Sequence, residues 1–154
     1  MPAQQIIKAA DLPRGLPRRK VEGPIHVAIL SYLERTLPHG AAATLHHSPN
    51  ENDGAWDRIK AARLGTRPGW PDIEWHGRLD DGSPYSAKIE VKAQSGRLSD
   101  EQTACIDVLM DAGVYVGVAR SIDEAQTLIR RWKLPSRDVD ARQADRTRAG
   151  RAQG

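Results

Sequence analysis

The sequence predicts an α/β domain in which a mixed central β-sheet is flanked by helices. Three kinds of pattern predict it: apolar residues at helical spacing, short β-rich runs bounded by turn residues, and serine-initiated helix starts. In chain order the expected elements alternate as α-β-α-β-β-α-β-α. This order is typical of helices packed on a sheet.

The first half of the expected domain contains a long helix, a short strand and a second helix. Apolar residues recur at helical spacing over 21–33, and the helix should end before Pro38. A short strand is expected within 42–47. Residues 55–64 favour a second helix, with Gly65 as its C-terminal stop.

A β-hairpin is expected next. Residues 73–76 and 85–91 favour strands, and residues 80–84 between them are Asp-Asp-Gly-Ser-Pro, which is typical of a turn. The chain should therefore return so that the two strands lie side by side.

The second half contains two helices with a strand between them. Ser99 with Gln102, and Ser121 with Glu124, have the spacing of capping boxes. Residues 114–119 are nearly all apolar, as in a central strand. The first helix is expected to bury Cys105, Val108, Leu109 and Ala112. The second is expected to bury Ile122, Ala125, Leu128, Ile129 and Trp132.

Charge and composition divide the chain into three parts. We expect a flexible basic lead-in at 1–20, a folded domain at 21–135 and a disordered Arg-rich tail at 136–154. Their formal charges are +4, −3 and +2, within a total of +3. Basic ends are common in proteins that contact nucleic acid, although they also serve solubility alone.

Composition also excludes several classes of protein. The single cysteine, Cys105, excludes an intrachain disulfide and favours a reducing, cytoplasmic compartment. No run approaches the roughly 18 apolar residues of a membrane span, and no apolar stretch follows the first basic residues as in a signal peptide. At 154 residues the chain fits one domain.

The polar residues with a chemical interpretation are Asp72, Glu90 and Lys92. Side chains two apart on a strand share a face, and the hairpin can bring Asp72 beside Glu90. Two carboxylates, with the backbone carbonyl of Val91, suit Mg²⁺ or Mn²⁺ against a phosphate. Lys92 would orient water or stabilise phosphoryl charge. The alternative is a capped turn at Asp72 and a solvated Glu90–Lys92 pair on an edge strand.

Three segments together resemble a known nuclease family. They are Gly-Trp-Pro-Asp at 69–72, Ile-Glu-Val-Lys at 89–92 and Gly-Arg-Leu-Ser-Asp-Glu-Gln at 96–102. This combination resembles the virus-type replication-repair nuclease (VRR-NUC) domain of the PD-(D/E)xK superfamily. The likeness covers roughly residues 21–132 and includes Ser-Pro-Asn-Glu at 48–51. It implies a restriction-endonuclease-like core and a metal-dependent nuclease.

The resemblance also implies individual roles. Asp72 and Glu90 match metal ligands, and Lys92 matches the catalytic lysine. Gln102 matches a glutamine that supports the site, and Glu22 matches a helix carboxylate that holds the metal directly or through water. Both also have simpler interpretations, since Gln102 fits a capping box and Glu22 lies near a helix start.

Other residues fit the resemblance less well. Trp70 stands where the family more often has a smaller residue. Arg97 is explained equally by contact with a phosphate and by solvation. His46 and His47 face opposite ways on a strand, so one of them can reach the site, although a structural or solvated role is favoured. His26 is expected to pair with Glu22, one turn away. Packing roles are favoured for Trp56, Trp75 and Cys105.

The resemblance implies a structure-selective DNA endonuclease. Standalone phage and bacterial relatives form homodimers that cut four-way (Holliday) junctions, and a two-fold dimer faces opposite strands with equivalent sites. The expected partners are therefore branched DNA and a second copy of the chain, without a membrane. The alternatives are a non-catalytic DNA-binding or scaffold module, and a flap or duplex nuclease of the same chemistry.

Overall fold

In the computed structural model of the chain, the described residues are 18–48, 59–60 and 63–138. The elements are α1 (Arg18–Thr36), α2 (His39–Ala42), β1 (His46–His47), β2 (Ile73–Arg78), β3 (Pro84–Val91), α3 (Asp100–Asp111), β4 (Tyr115–Ala119) and α4 (Ile122–Arg131). The predicted fold class, a mixed sheet between helices, is confirmed. Among these residues, no helix is long and apolar enough to cross a membrane.

The sheet has the strand order β1-β2-β3-β4. Strands β1 and β2 are antiparallel, as are β2 and β3, whereas β3 and β4 are parallel and are joined through α3. The hairpin between β2 and β3 is closed by the N–H of Leu79, which donates to the Ser83 carbonyl at 2.8 Å. Strand β3 therefore has a partner on each side, which contradicts the alternative of an edge strand.

Strand β3 sends alternate side chains to two covered faces of the sheet. One face packs with α1 and α4 in the larger core, and its β3 residues are Tyr85, Ala87, Ile89 and Val91. The other face lies toward α3, where Ile106, Leu109 and Val116 form a smaller core. Lys88 and Glu90 point to this second face, since their register partners on β4 are Val116 and Val118.

The two predicted helix caps differ in detail. Ser99 and Gln102 form a complete capping box, in which each side chain bonds the backbone N–H of the other. At α4, Ser121 accepts from the Glu124 N–H, but Glu124 accepts from the N–H of Arg120 instead of that of Ser121. This second box is therefore half formed, and the same Glu124 oxygen also lies 3.9 Å from the Arg120 guanidinium.

One local expectation was confirmed only in part, and one was wrong. The strand expected within 42–47 is limited to β1, because the chain first forms α2 directly after Pro38. The buried stripe of α3 is rotated: Val108 is 68% exposed, whereas Ile106 is buried beside Leu109. Ala112 is exposed as well.

The folded region extends slightly past both expected boundaries. Helix α1 begins at Arg18, inside the expected lead-in. Ser136 is buried, and Asp138 accepts a hydrogen bond from the Tyr32 hydroxyl at 3.1 Å. The remainder of the segments 1–20 and 136–154 lies outside the described residues. Most of the helix expected at 55–64 does too, although Gly65 has the expected positive φ, +87°.

Candidate active site

Asp72 lies immediately before β2, opposite the end of β3. Its Oδ2 accepts a hydrogen bond from the N–H of Val91 at 2.8 Å. The N–H and C=O of one strand residue point toward the same neighbour, so the Val91 carbonyl is also directed to this side of β3. The backbone of Lys92 donates to the Ala119 carbonyl at 3.1 Å on the other side, which holds the end of β3 against β4.

Glu90 is the most buried carboxylate of this region, at 1% exposed. Its Oε1 lies 2.9 Å from the Lys92 Nζ and also accepts a hydrogen bond from the Gln102 side-chain amide. Its Oε2 is buried and has no hydrogen-bond partner among the described residues. The amine of Lys92 therefore turns toward Glu90, as the two-residue spacing predicts.

Gln102 combines the two interpretations that its sequence context allows. Its Oε1 accepts the Ser99 N–H at 2.9 Å and completes the cap of α3, while its Nε2 donates to Glu90. A carboxamide has both an acceptor and a donor end, so one side chain can serve both contacts. The start of α3 is thereby attached to the buried carboxylate.

Helix α1 supplies a third carboxylate, that of Glu22. Its Oε1 accepts the N–H of Ala93 at 3.3 Å, just beyond Lys92. Its negative charge contributes to raising the pKa values of both Asp72 and Glu90. Glu22 therefore lies at the periphery of the same cluster.

Two histidines, His26 and His47, also lie beside Asp72. His47 Nδ1 is 3.2 Å from the Asp72 carbonyl oxygen. The rings of His26 and His47 meet edge to face, with 4.6 Å between their centroids. The charge of His26 lowers the pKa of Asp72, which opposes the effect of burial.

The electrostatics of the cluster disfavour two bare negative charges. Burial, followed by the charge of Asp72, raises the pKa of Glu90 to about 7, against the opposing effect of Lys92. Burial also raises the pKa of Asp72, although the hydrogen bond from Val91 opposes it. A nearby cation would favour the ionised form of both carboxyl groups.

The donor set fits a hard divalent cation. Asp72, Glu90 and the Val91 carbonyl are oxygen donors, and the Oε2 of Glu90, which has no hydrogen-bond partner in the described part of the chain, is available as a ligand. Within the described residues, no group of three or more His, Cys, Asp and Glu side chains is arranged to hold a metal. A cation here would therefore depend on two carboxylates, a backbone carbonyl and oxygens of water or substrate, a set that Mg²⁺ accepts.

Several candidates lie away from this cluster. His46 is exposed and is the register partner of Glu74, and Arg97 is exposed in the loop after β3. Trp75 is fully buried in the larger core, which agrees with the packing role predicted for it. Trp56 lies outside the described residues. Cys105 is half-buried, and burial raises the pKa of its thiol, which disfavours a nucleophilic role.

A second polar cluster, adjacent to the first, was not singled out by the sequence. Glu74 and Lys88 are register partners on β2 and β3, and their side chains are bonded to each other. The signal was present, because Glu74 follows Asp72 by two residues and Lys88 precedes Glu90 by two. Strand alternation therefore predicts one continuous polar row.

Two comparisons with known proteins found similarity to one domain family. The family model of the VRR-NUC domain matches residues 38–123, a span that includes Asp72, Glu90, Lys92 and Gln102 but not Glu22. A solved structure described as a VRR_NUC domain protein has a TM-score of 0.58 and 24% sequence identity, covering 80% of this chain and 93% of that one. At that identity the likeness concerns the fold. No curated protein matches the sequence.

Proposed function

The chain belongs to the VRR-NUC domain family, a family of nuclease-type domains that process DNA, and we propose that it is a divalent-metal-dependent endonuclease. In this function it hydrolyses phosphodiester bonds of DNA with Mg²⁺ or Mn²⁺. The observation that carries this function is the meeting of Asp72, the buried Glu90 and Lys92 at the end of β3, where one Glu90 oxygen has no hydrogen-bond partner among the described residues.

Asp72, Glu90 and the carbonyl of Val91 would hold the cation, and Glu22 would reach it through a water molecule. When bound, the cation supplies charge neutralisation for the scissile phosphate and lowers the pKa of the attacking water. Gln102 keeps Glu90 in position through its bond to Oε1, which leaves Oε2 for the ligand role.

Lys92 provides the positive charge and the hydrogen-bond donor of the site. Its ammonium lies 2.9 Å from Glu90 Oε1 and is mostly buried. From there it donates to the attacking water or to a phosphoryl oxygen, where negative charge grows in the transition state. Hydrolysis adds the water oxygen to phosphorus, breaks one phosphorus–oxygen ester bond and delivers a proton to the departing oxygen.

We also propose that the active form is a homodimer that acts on four-way junctions. Resolving a junction requires two symmetric cuts, and a two-fold dimer presents two equivalent sites. The part of the chain that the structure describes holds one such cluster per copy, so paired incision needs two copies.

The free Cys105 thiol supports a reducing compartment such as the cytoplasm.

A substrate panel tests this function. Labelled duplex, single-stranded, flap and four-way DNA are incubated with wild type or Lys92→Ala, in Mg²⁺ or Mn²⁺. We expect wild type to cut the four-way substrate at symmetric positions. Lys92→Ala should lower kcat by about 10²–10³-fold or more, because it removes a transition-state donor, while DNA binding is retained.

The same panel separates the alternatives. If wild type leaves every substrate intact with either metal, the chain is a binding module. If it cuts only flap or duplex DNA, it is a nuclease of the same chemistry with another target. A monomer mass by light scattering at working concentration would contradict paired incision by a dimer.

A further inference from the structure

Trp70 forms a unit with Glu74 and with the buried Lys88. Its indole Nε1 donates to Glu74 Oε2 at 3.1 Å, and the Lys88 ammonium lies 4.6 Å from the centroid of its ring. Lys88 also bonds the same carboxylate oxygen of Glu74 and is only 4% exposed. A buried ammonium requires a counterion and polarisable neighbours, so these three side chains stabilise one another.

This unit is attached to the segment that carries Asp72. Trp70 lies two residues before Asp72, which itself precedes the first residue of β2. The hydrogen bond from the indole to Glu74 therefore ties the residues just before Asp72 to strand β2, where β2 is paired with β3. On β3, Lys88 lies two residues before Glu90 on the same face.

The same segment lies directly against the start of α3. Gly69 has a φ of +78°, and a Cβ placed there would lie 2.5 Å from the Glu101 carbonyl oxygen. The next residue after Glu101 is Gln102, whose side chain donates to Glu90. Residues 69–71 thus lie between the hairpin, which carries Glu90, and the first turn of α3, which carries Gln102.

We propose that Trp70 is a positioning residue that holds Asp72 at the distance from Glu90 at which both carboxylates bind one cation, a role that rests on the metal site proposed above. Its N–H fixes the segment to β2, and its ring covers the Lys88 ammonium. A small side chain at position 70 reaches neither group.

Mn²⁺ binding measured by titration calorimetry on the full chain tests the role of Trp70. Trp70→Ala should raise the Mn²⁺ dissociation constant by roughly 10–100-fold, as loss of residues that orient ligands commonly does. Trp70→Phe retains a ring over Lys88 but lacks the N–H, so it should lie between alanine and wild type. It also serves as the readout if the alanine variant does not fold.

Cleavage provides an independent readout. In Trp70→Phe the Mn²⁺ concentration for half-maximal cutting should rise by the same factor as the dissociation constant. Saturating Mn²⁺ should restore kcat, and the KM for DNA should be unchanged. A general loss of structure would not produce this separation of effects.

Two further variants make the result decisive. Trp132→Phe is the matched control, because Trp132 packs on the opposite face of the sheet against Tyr115; its Mn²⁺ affinity should equal that of wild type. Asp72→Asn is the reference for a lost metal site.

The positioning role is overturned if Asp72→Asn loses Mn²⁺ binding while folded Trp70→Ala or Trp70→Phe binds Mn²⁺ like wild type. It is also overturned if Trp132→Phe weakens Mn²⁺ binding as much as the Trp70 variants do. If wild type and Asp72→Asn bind Mn²⁺ identically, the metal site itself is wrong, and the role of Trp70 with it.

Discussion

At the scale of single residues, the candidate site depends on carboxylates of which one oxygen is held by hydrogen bonds. One oxygen of Asp72 accepts the N–H of Val91, and one oxygen of Glu90 is bonded by Lys92 and Gln102. Each carboxylate is thereby oriented, while Glu90 retains a buried oxygen without a partner among the described residues. Hydrogen bonds to one oxygen are what allow the other to be presented to a ligand.

The raised pKa of Glu90, about 7, predicts the pH dependence of stability in metal-free protein. The ordinary pKa is 4.5, so the folded state binds a proton more tightly than the unfolded state. This contribution to stability is complete below the ordinary value and is lost as pH rises through about 7. In EDTA, we therefore expect the Tm of wild type to decrease between pH 5 and pH 8 relative to that of Glu90→Gln.

Glu90→Gln is the required comparison because it removes the ionisation of this one side chain and leaves every other group in place. Glutamine keeps the size of the side chain but cannot ionise. Mn²⁺ should have the opposite effect in wild type, since a cation binds the ionised carboxylates, and its gain in Tm should increase with pH. If the Tm of wild type and that of Glu90→Gln changed with pH in parallel in EDTA, the ionisation of Glu90 would not govern the pH dependence of stability.

At the scale of elements, the site is formed where a hairpin meets the first turn of a helix. The contact of Gly69 with α3 sets the distance between them, because no side chain separates the two backbones. Gln102 and Ile106 face the sheet, whereas Val108 faces solvent. Helix α3 is thus rotated about its axis so that Gln102 points to Glu90.

Gly69→Ala tests this contact. The added Cβ meets the Glu101 carbonyl at 2.5 Å, and the φ of +78° is itself unfavourable for alanine. We expect the free energy of unfolding to decrease by about 2 kcal/mol or more. The cleavage rate should also fall by more than the fraction of unfolded protein explains, because Gln102 moves away from Glu90. Chemical denaturation and single-turnover cleavage measure the two effects.

Gly82→Ala is the matched control for backbone strain. Gly82 has a φ of +83°, and a Cβ there would have no neighbour within 4 Å. The variant should lose only about 1 kcal/mol of stability and keep full cutting activity. Equal stability losses and equal activity for the two variants would show that the approach of Gly69 to α3 is unimportant.

At the scale of the whole molecule, charge is separated between the body and the ends of the chain. The domain expected at 21–135 has a formal charge of −3, while residues 136–154 have +2. Asp138 is bonded to Tyr32 and Gln126, so the first residues of the expected tail belong to the folded structure. A contribution of the tail to DNA binding should therefore come from the arginines after Asp138.

A chain that ends at Asp138 tests the contribution of the tail. We expect its Tm to match that of the full chain, because the interactions of Ser136 and Asp138 are retained. The slope of log affinity for DNA against log salt should become shallower by about 0.9 for each phosphate that the tail no longer neutralises. Substituting Arg142, Arg146, Arg148 and Arg151 by Gln in the full chain is the control for chain length. An unchanged slope would exclude binding of this tail to phosphate.

Local patterns were sufficient to predict much of this protein. The helix starts at Ser99 and Ser121, the hairpin, and the alternation of β3 depend on residues close together in the chain, so their hydrogen bonds and periodicity are visible in the sequence. The same alternation placed Glu90 and Lys92 on one face, and the hairpin brought Asp72 toward them. The resemblance to a family added Gln102.

Contacts between distant segments were decided only by tertiary packing. Residue 22 meets residue 93 through the docking of α1, and the indole of residue 70 meets residues 74 and 88 through the exact register of the hairpin. Spacing along the chain carries no information about such docking. The rotation of α3 and the central position of β3 belong to the same class, because each depends on which segments pack against each other in the folded domain.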